Sequence, residues 1–203
     1  MADGYARASG KPGVAYVITG PGVCNIMTPM GQAYSDSVPV LVISSCLDET
    51  VATRGQLHQM RDQRAAVATV SDWSEEARAP EAAYNLIDRA FFEFGAARPR
   101  PKHLQVPIAL LGEMVEGAPA AAPGARDRHG PAGVGDMRGL AQDLWNAKKP
   151  LFILGGGLAA SGGAADVQMR LLLKETGAAA FMTYAGCGVL EADDPMSFGT
   201  YLG

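Results

Sequence analysis

The amino-acid sequence predicts an α/β protein in which two partial parallel sheets are joined by a linker. Short runs of continuous apolar residues alternate with helical segments, a pattern typical of strands that are buried on both faces of a parallel sheet. Residues 115–135 are rich in Ala, Pro and Gly and lack apolar periodicity, which predicts a linker. The segments on either side, 1–114 and 136–203, hold few strands, so we expect each to be part of a domain.

The first segment should supply most of one sheet. Continuous apolar runs predict buried strands at 14–18 and 38–43. A third strand is predicted at 102–108, after the turn at 98–101, and a short one at 70–73. Helical periodicity predicts helices over 23–34 and 80–97, and the second has an apolar face formed by Ala83, Leu86, Ile87, Ala90, Phe91 and Phe94. Residues 57–68 are expected to be a short helical or irregular segment.

The second segment reads as one βαβ unit. A helix over 136–148, with Asp136 as its N-cap, precedes the unit. The predicted strands span 150–154 and 178–183, and the helix between them spans 164–176. Such a unit should cross over with right-handed chirality. Asp193 and Asp194 are expected to cap a turn before Pro195.

Composition excludes several classes of function. The net charge of −4 gives no basic surface for nucleic acid. No apolar run approaches the length of roughly 18 residues that a membrane span needs, so no membrane partner is expected. The three cysteines, Cys24, Cys46 and Cys187, match no metal-binding pattern. Reduced thiols in a cytoplasmic protein are the plain interpretation.

Thr19-Gly20-Pro21-Gly22 follows the first predicted strand and precedes a helix. Glycine has no Cβ, so backbone at such a turn can approach a ligand closely, and the first backbone N–H groups of the helix are free to donate. A tight strand-to-helix turn without a ligand is the alternative.

Several motifs together carry a family resemblance. They occur in this order: Asp3-Gly4-Tyr5-Ala6-Arg7, Gly10-Lys11-Pro12-Gly13, Thr19-Gly20-Pro21-Gly22, Asn25 and Asp36-Ser37-Val38-Pro39. In this combination the chain, to about Leu111, resembles the pyrimidine-binding domain of thiamine-diphosphate enzymes of the acetolactate synthase and 2-oxo-acid decarboxylase type. Residues 153–157 and 185–190 look like the Rossmann-like central domain of that family.

The resemblance implies a thiamine diphosphate cofactor held between domains of two subunits. The positions that match the contacts to its aminopyrimidine ring are Gly20, Pro21, Gly22 and Asn25. The family binds magnesium and the diphosphate on another domain, whose motif we do not find in this sequence, so we expect no metal site. The family's catalytic glutamate lies before the stretch that matches residues 1–7, and Glu49, Glu75 and Glu76 lie elsewhere in the pattern. We therefore expect this chain alone to be inactive.

His58 and Gln59 are the candidate catalytic residues. They lie where relatives place a substrate-facing pair, and a histidine can move protons near neutral pH. A histidine in a surface loop is the alternative. The local sequence resembles decarboxylases of guanidino 2-oxo acids more closely than acetolactate synthases. The resemblance lies in Leu57-His58-Gln59 followed by Asp62-Gln63-Arg64.

Other polar and glycine-rich features receive structural interpretations. Gly155-Gly156-Gly157 follows a strand, but its spacing does not match a dinucleotide-binding loop. We expect a structural use for it, with a bound nucleotide as the less favoured alternative. His103, in a strand, and His129, in the linker, are expected to be structural or solvated.

The sequence thus predicts part of a thiamine-diphosphate-dependent lyase or transferase acting on a 2-oxo acid. The expected partners are further copies of the chain, or a partner chain that carries the diphosphate-binding domain. The alternatives are one chain of a split enzyme and a stand-alone α/β nucleotide-binding module. Partial sheets have open edges, which also predicts an exposed apolar surface and self-association.

Overall fold

The computed structural model describes residues 1–47, 55–115, 117, 134–161 and 163–200. These residues form two compact units, Met1–His129 and Gly130–Gly203, and each unit has its own sheet. The division falls inside the expected linker 115–135, nearly all of which lies outside the described residues. The bounds of the two predicted domains therefore stay predictions.

The sheet of the first unit has four parallel strands. They are β1 (Gly13–Val17), β2 (Val40–Cys46), β3 (Ser74–Glu76) and β4 (Lys102–Pro107). The spatial order is β1-β2-β4-β3, so β2 and β4 are central. The parallel sheet expected from the continuous apolar runs is confirmed, and the carboxyl ends of its strands lie at one edge.

Helices cover both faces of the two central strands. The helices of this unit are α1 (Ala2–Ser9), α2 (Pro21–Asp36), α3 (Gln63–Ala68), α4 (Pro80–Ala96) and the short α5 (Ile108–Leu111). Val40 and Val42 of β2 pack in one core with residues of α1, α2 and α3. Leu41 and Ile43, which point to the opposite face, pack in another core with residues of α4.

The edge strand β1 departs from the expectation that both faces of the sheet are covered. Val14 and Tyr16 are 51% and 62% exposed, because α4 packs over β2 and β4 and leaves this face of β1 open. The prediction of full burial was therefore wrong for β1. The expected apolar surface is exposed here, and association of copies through it stays a prediction.

The third strand along the chain lies later than predicted. Strand β3 spans Ser74–Glu76 rather than 70–73. The apolar side chains that suggested the earlier position pack into two cores instead. Trp73 packs with residues of α4, and Val70 packs against the core that contains residues of α2. A polar segment pairs with β4 because its side chains find partners there, as described below.

The second unit contains a three-stranded parallel sheet of order β5-β6-β7. Its elements are α6 (Val134–Asn146), β5 (Leu151–Leu154), α7 (Gly156–Ser161), α8 (Gly163–Thr176), β6 (Ala179–Met182) and β7 (Ser197–Thr200). The expected βαβ order is present. Asp136 lies inside the first turn of α6 rather than at its N-cap. Asp194 accepts a hydrogen bond from the backbone N–H of Met196 at 2.8 Å, as expected of a turn cap.

The sequence did not predict α7 or β7. Helix α7 begins at Gly156, and glycine is a poor helix former, so tertiary contact rather than propensity sets this helix. Strand β7 has four residues, includes Gly199 at φ +94°, and pairs irregularly with β6. Within the described ranges, no helix combines the length and the apolar composition that a membrane span requires.

A buried lysine anchors the amino end of β4. The Lys102 side chain is only 2% exposed, and its Nζ lies 2.6 Å from an Asp72 carboxylate oxygen and 2.8 Å from one of Glu93. Burial alone would raise the pKa of Glu93, but hydrogen bonds from Lys102, Arg89 and Trp73 lower the pKa to about 2. Helix α4 is therefore tied to the sheet through a charged group that needs its partners.

We expect Glu93→Gln to reduce the free energy of unfolding by roughly 2 kcal/mol at neutral pH, because a buried ammonium loses one of its two carboxylates. The pKa of Glu93 is lower in the folded protein, so its contribution is complete above the ordinary value near 4.5 and is lost as pH falls towards about 2. Urea unfolding of both proteins should therefore show a difference that shrinks over this range. Glu113→Gln, at an exposed carboxylate, is the matched control. A difference that does not depend on pH would contradict this account of the ion pair.

Candidate functional site

The glycine-rich turn lies at the carboxyl edge of the first sheet, between β1 and α2. Thr19 and Gly20 are buried, whereas Pro21 is exposed. Gly20 is the N-cap of α2 and Pro21 is its first residue, a position that proline favours. No side chain caps this helix end within the described residues, Pro21 has no N–H, and the Cys24 N–H bonds to the Gly20 carbonyl at 2.9 Å, so the N–H groups of Gly22 and Val23 are left to a ligand.

Gly20 can only be a glycine because another backbone segment lies against it. Its φ is +68°, a left-handed value that side chains rarely adopt. A Cβ at this position would stand 2.4 Å from the carbonyl oxygen of His58. The Thr19 hydroxyl oxygen also lies 3.4 Å from this oxygen. Segments 39 residues apart in the chain are thereby brought together, and with them the predicted cofactor-binding and catalytic residues.

Gly22 is restricted for a different reason. A Cβ there would lie 2.9 Å from Cγ2 of Ile18 and 3.4 Å from Cβ of Val17, so the first turn of α2 packs back on β1. A side chain at Gly22 is therefore costly even without a ligand. Approach to a ring at this position stays a prediction.

The remaining predicted site residues surround this contact. Asn25, one turn into α2, is exposed, and His58 and Gln59 are half-buried. His58 has a φ of +66°, which is unusual for a residue with a side chain and is typical of functional or strained positions. The Oε1 atom of Gln59 accepts a hydrogen bond from the backbone N–H of Gln56 at 3.1 Å, which orders the loop locally.

A buried polar network behind the turn was not predicted. Asp62 caps α3 by accepting from the backbone N–H of Ala65, and the first residue of that helix, Gln63, points into the core with 3% exposure. Its Oε1 accepts from the Thr19 hydroxyl at 2.8 Å and from the Gly20 N–H at 3.1 Å. Apolar periodicity does not detect such a residue. The signal that the sequence does contain is Asp62, an N-cap residue that fixes where the short helix α3 begins.

His103 belongs to this network and is structural, as expected. Its ring nitrogens lie 2.8 Å from the Ser44 hydroxyl and 2.7 Å from the Ser74 hydroxyl. Burial lowers the pKa of His103 to about 4, so the ring is neutral at physiological pH. The Nε2 of Gln105 donates to Glu76 at 2.7 Å, which explains why the polar segment β3 pairs with β4. Glu49 and His129 lie outside the described residues.

The turn presents hydrogen-bond donors and one exposed amide side chain to a ligand. Exposed Pro21 and Asn25 flank a helix end whose N–H groups are uncapped, and such a helix end can donate to acceptor atoms of a neutral or an anionic ligand. Among the described residues, no three His, Cys, Asp or Glu side chains lie close enough together to hold a metal ion.

The glycines after β5 have contacts within the protein. A Cβ at Gly156 would stand 2.9 Å from Cβ of Ala185, and one at Gly186 would stand 2.1 Å from the carbonyl oxygen of Leu154. Residues 184–186 form a 3₁₀ helix against this segment. The close approach at Gly156 supports the structural interpretation of Gly155-Gly156-Gly157.

Comparison with known proteins finds matches over the whole chain. A probable 2-ketoarginine decarboxylase from Pseudomonas aeruginosa is 43% identical over 100% of this chain and 36% of its own length. An acetolactate synthase from Arthrospira platensis is 30% identical over 98% of this chain and 34% of its own length. The chain thus spans about a third of the length of these relatives. The stronger match agrees with the expected similarity to decarboxylases of guanidino 2-oxo acids.

A solved structure and a family description agree with these relatives. The fold matches that of a putative thiamin diphosphate-dependent enzyme from Mycobacterium smegmatis with a TM-score of 0.83, at 21% identity, over 98% of this chain and 38% of that one. Residues 1–66, which include the turn, the His58 loop and Gln63, match the family described as thiamine pyrophosphate enzyme, N-terminal TPP binding domain. Residues 1–66 therefore match the N-terminal domain of thiamine pyrophosphate (thiamine diphosphate) enzymes, and the whole chain is similar to the decarboxylase and the acetolactate synthase named above.

Proposed function

We propose that this chain forms part of a thiamine-diphosphate-dependent 2-oxo-acid decarboxylase or carboligase, and that its first unit holds the aminopyrimidine side of the cofactor. The observation that carries the proposal is the contact between Gly20 and the His58 carbonyl. It joins the turn matched to ring binding with the loop matched to substrate. The family match over residues 1–66 covers both.

In this proposal the two segments have different tasks. The backbone at Gly20 and Gly22, with the side chains of Pro21 and Asn25, orients the aminopyrimidine ring. When bound, the cofactor supplies the carbon nucleophile of its thiazolium ring. His58 and Gln59 bind the 2-oxo acid, and the imidazole of His58 moves a proton to or from the substrate near neutral pH.

The charged end of the cofactor needs residues from elsewhere. Magnesium and the diphosphate are bound by a domain that lies in another part of the protein, in another copy or in a partner chain. A split enzyme or a homo-oligomer satisfies this requirement, and either would work in the cytoplasm. A stand-alone nucleotide-binding module has less support, because Ala185 already packs against Gly156 where the backbone would have to approach a nucleotide.

We expect the purified chain to bind thiamine weakly and to decarboxylate neither pyruvate nor a guanidino 2-oxo acid. Among the described residues, no cluster of His, Cys, Asp or Glu side chains could hold the magnesium ion that accompanies the diphosphate. Amide spectra recorded during a thiamine titration should shift at Gly22 and Asn25 and leave residues of the second unit unchanged. Turnover by the chain with thiamine diphosphate and magnesium would contradict the expected inactivity, and spectra unaffected by thiamine would contradict ring binding.

The role of Gly22 can be separated from its packing. Gly22→Ala alone should lower stability by about 1 kcal/mol, because the new Cβ meets Cγ2 of Ile18. In an Ile18→Ala background this clash is absent. If the ring lies against Gly22, adding Gly22→Ala to that background should still weaken thiamine binding by roughly tenfold, measured by the same titration.

Gly157→Ala is the matched control, since no atom lies within 4 Å of the added Cβ and its affinity for thiamine should equal that of the unmodified chain. Equal thiamine affinity of Ile18→Ala with and without Gly22→Ala would remove Gly22 from the site.

A further inference from the structure

Gln63 joins the turn to the neighbouring strand through one buried amide. Its Oε1 accepts from the Thr19 hydroxyl and the Gly20 N–H. Its Nε2 donates to the Ser45 carbonyl and the Ser44 hydroxyl, both at 3.0 Å, and reaches Oε1 of Gln105 at 3.3 Å. A single side chain therefore satisfies polar groups on both sides of the carboxyl edge of β1 and β2.

The chemistry of its partners fixes which way the amide points. A backbone N–H can only donate and a backbone carbonyl can only accept, so the oxygen must face Gly20 and the nitrogen must face Ser45. With the amide reversed, both contacts would be repulsive. The orientation of the amide is thus determined by the hydrogen-bond partners alone.

The Ser44 hydroxyl continues the network to His103. The Ser44 oxygen accepts from Gln63, and Nε2 of His103, 2.8 Å away, can accept the Ser44 proton. In that tautomer, Nδ1 of His103 carries the ring proton and donates to the Ser74 hydroxyl. This requires a neutral imidazole, in agreement with the burial of the ring. The partners of Gln63 on β2 and β4 therefore hold its amide in one orientation.

We propose that Gln63 is a positioning residue, which holds the Thr19–Gly22 turn in the conformation that presents its helix end to a ligand. The proposal relies on the proposed function only for the identity of that ligand, the aminopyrimidine ring. Gly20 is buried and has a φ of +68°, so its N–H cannot turn to water without moving the turn. Gln63 supplies the acceptor for this buried N–H, which would otherwise destabilise the conformation because it would have no hydrogen-bond partner.

The test compares Gln63→Met, which keeps the length of the side chain and removes the acceptor, with Val67→Ala. Val67 lies on the same helix and is fully buried in the apolar core, but it belongs to no part of the polar network. Hydrogen exchange of backbone amides should show that Gln63→Met lowers the protection of Gly20 by at least about tenfold more than that of β4 amides. Val67→Ala should lower the two together. Equal loss at Gly20 and β4 in Gln63→Met would overturn the proposal.

A second variant, Gln63→Glu, gives a signature that simple loss of packing would not produce. The ionised carboxyl repels the Ser45 carbonyl, whereas the protonated carboxyl again offers one donor and one acceptor. Protection of Gly20, relative to the unmodified chain at each pH, should rise as pH falls through the pKa of the introduced carboxyl. The comparison at each pH is needed because two further ionisable side chains, His103 and Glu76, join the network through Ser44 and Gln105. Relative protection that is independent of pH would count against the assigned role.

Thiamine separates this proposal from the proposed function. Its shifts at Gly22 and Asn25 should be lost in Gln63→Met and kept in Val67→Ala. Spectra of the unmodified chain that do not respond to thiamine would contradict the proposed ligand. Unchanged protection of Gly20 in Gln63→Met would overturn the role of Gln63 whether or not thiamine binds. If Gln63→Met does not fold, the pH dependence of Gln63→Glu decides the question.

Discussion

The absence of a side chain at Gly20 is the constraint on which the candidate site depends. The His58 carbonyl occupies the place of a Cβ, so the loop after β2 can lie directly on the turn after β1. Without this contact, the turn and the His58 loop would be separate features of one sheet edge. The buried amide of Gln63 completes the arrangement, because close backbone packing leaves the Gly20 N–H out of reach of water.

The two ends of the sheet solve the problem of buried polar groups differently. At the amino end of β4, the charge of Lys102 is balanced by two carboxylates that are themselves partly exposed. At the carboxyl edge, Gln63, Ser44 and His103 are nearly or fully buried and neutral, and each hydrogen bond limits the direction of the next. The first arrangement ties a helix to the sheet at some cost in desolvation. The second specifies a single geometry for the turn after β1.

Sequence patterns predicted the parts of this fold that depend on local order. The patterns located β1, β2 and β4 to within two or three residues, and for β1 and β2 the signal was a continuous apolar run, which is typical of strands in a parallel sheet. They did not locate β3, where Ser74 and Glu76 are stabilised by His103 and Gln105 from another strand. The glycine-rich turn was visible in the sequence. Its contact with the His58 loop was not, because nothing in a one-dimensional pattern records which backbone lies opposite a glycine.

The same limit explains why glycine-rich turns are ambiguous. Gly156 and Gly20 both follow a parallel strand, and both are required because protein atoms stand where a Cβ would be. Steric need alone therefore does not distinguish a ligand-binding glycine from a packing glycine. The surroundings differ: Gly156 faces the methyl group of Ala185, whereas Gly20 adjoins exposed Pro21 and an uncapped helix end, with the hydrogen bonds of its own backbone satisfied from behind. A turn that is supported on its buried side and has free donors on its open side is suited to bind a ligand, and this asymmetry favours the first turn over the second.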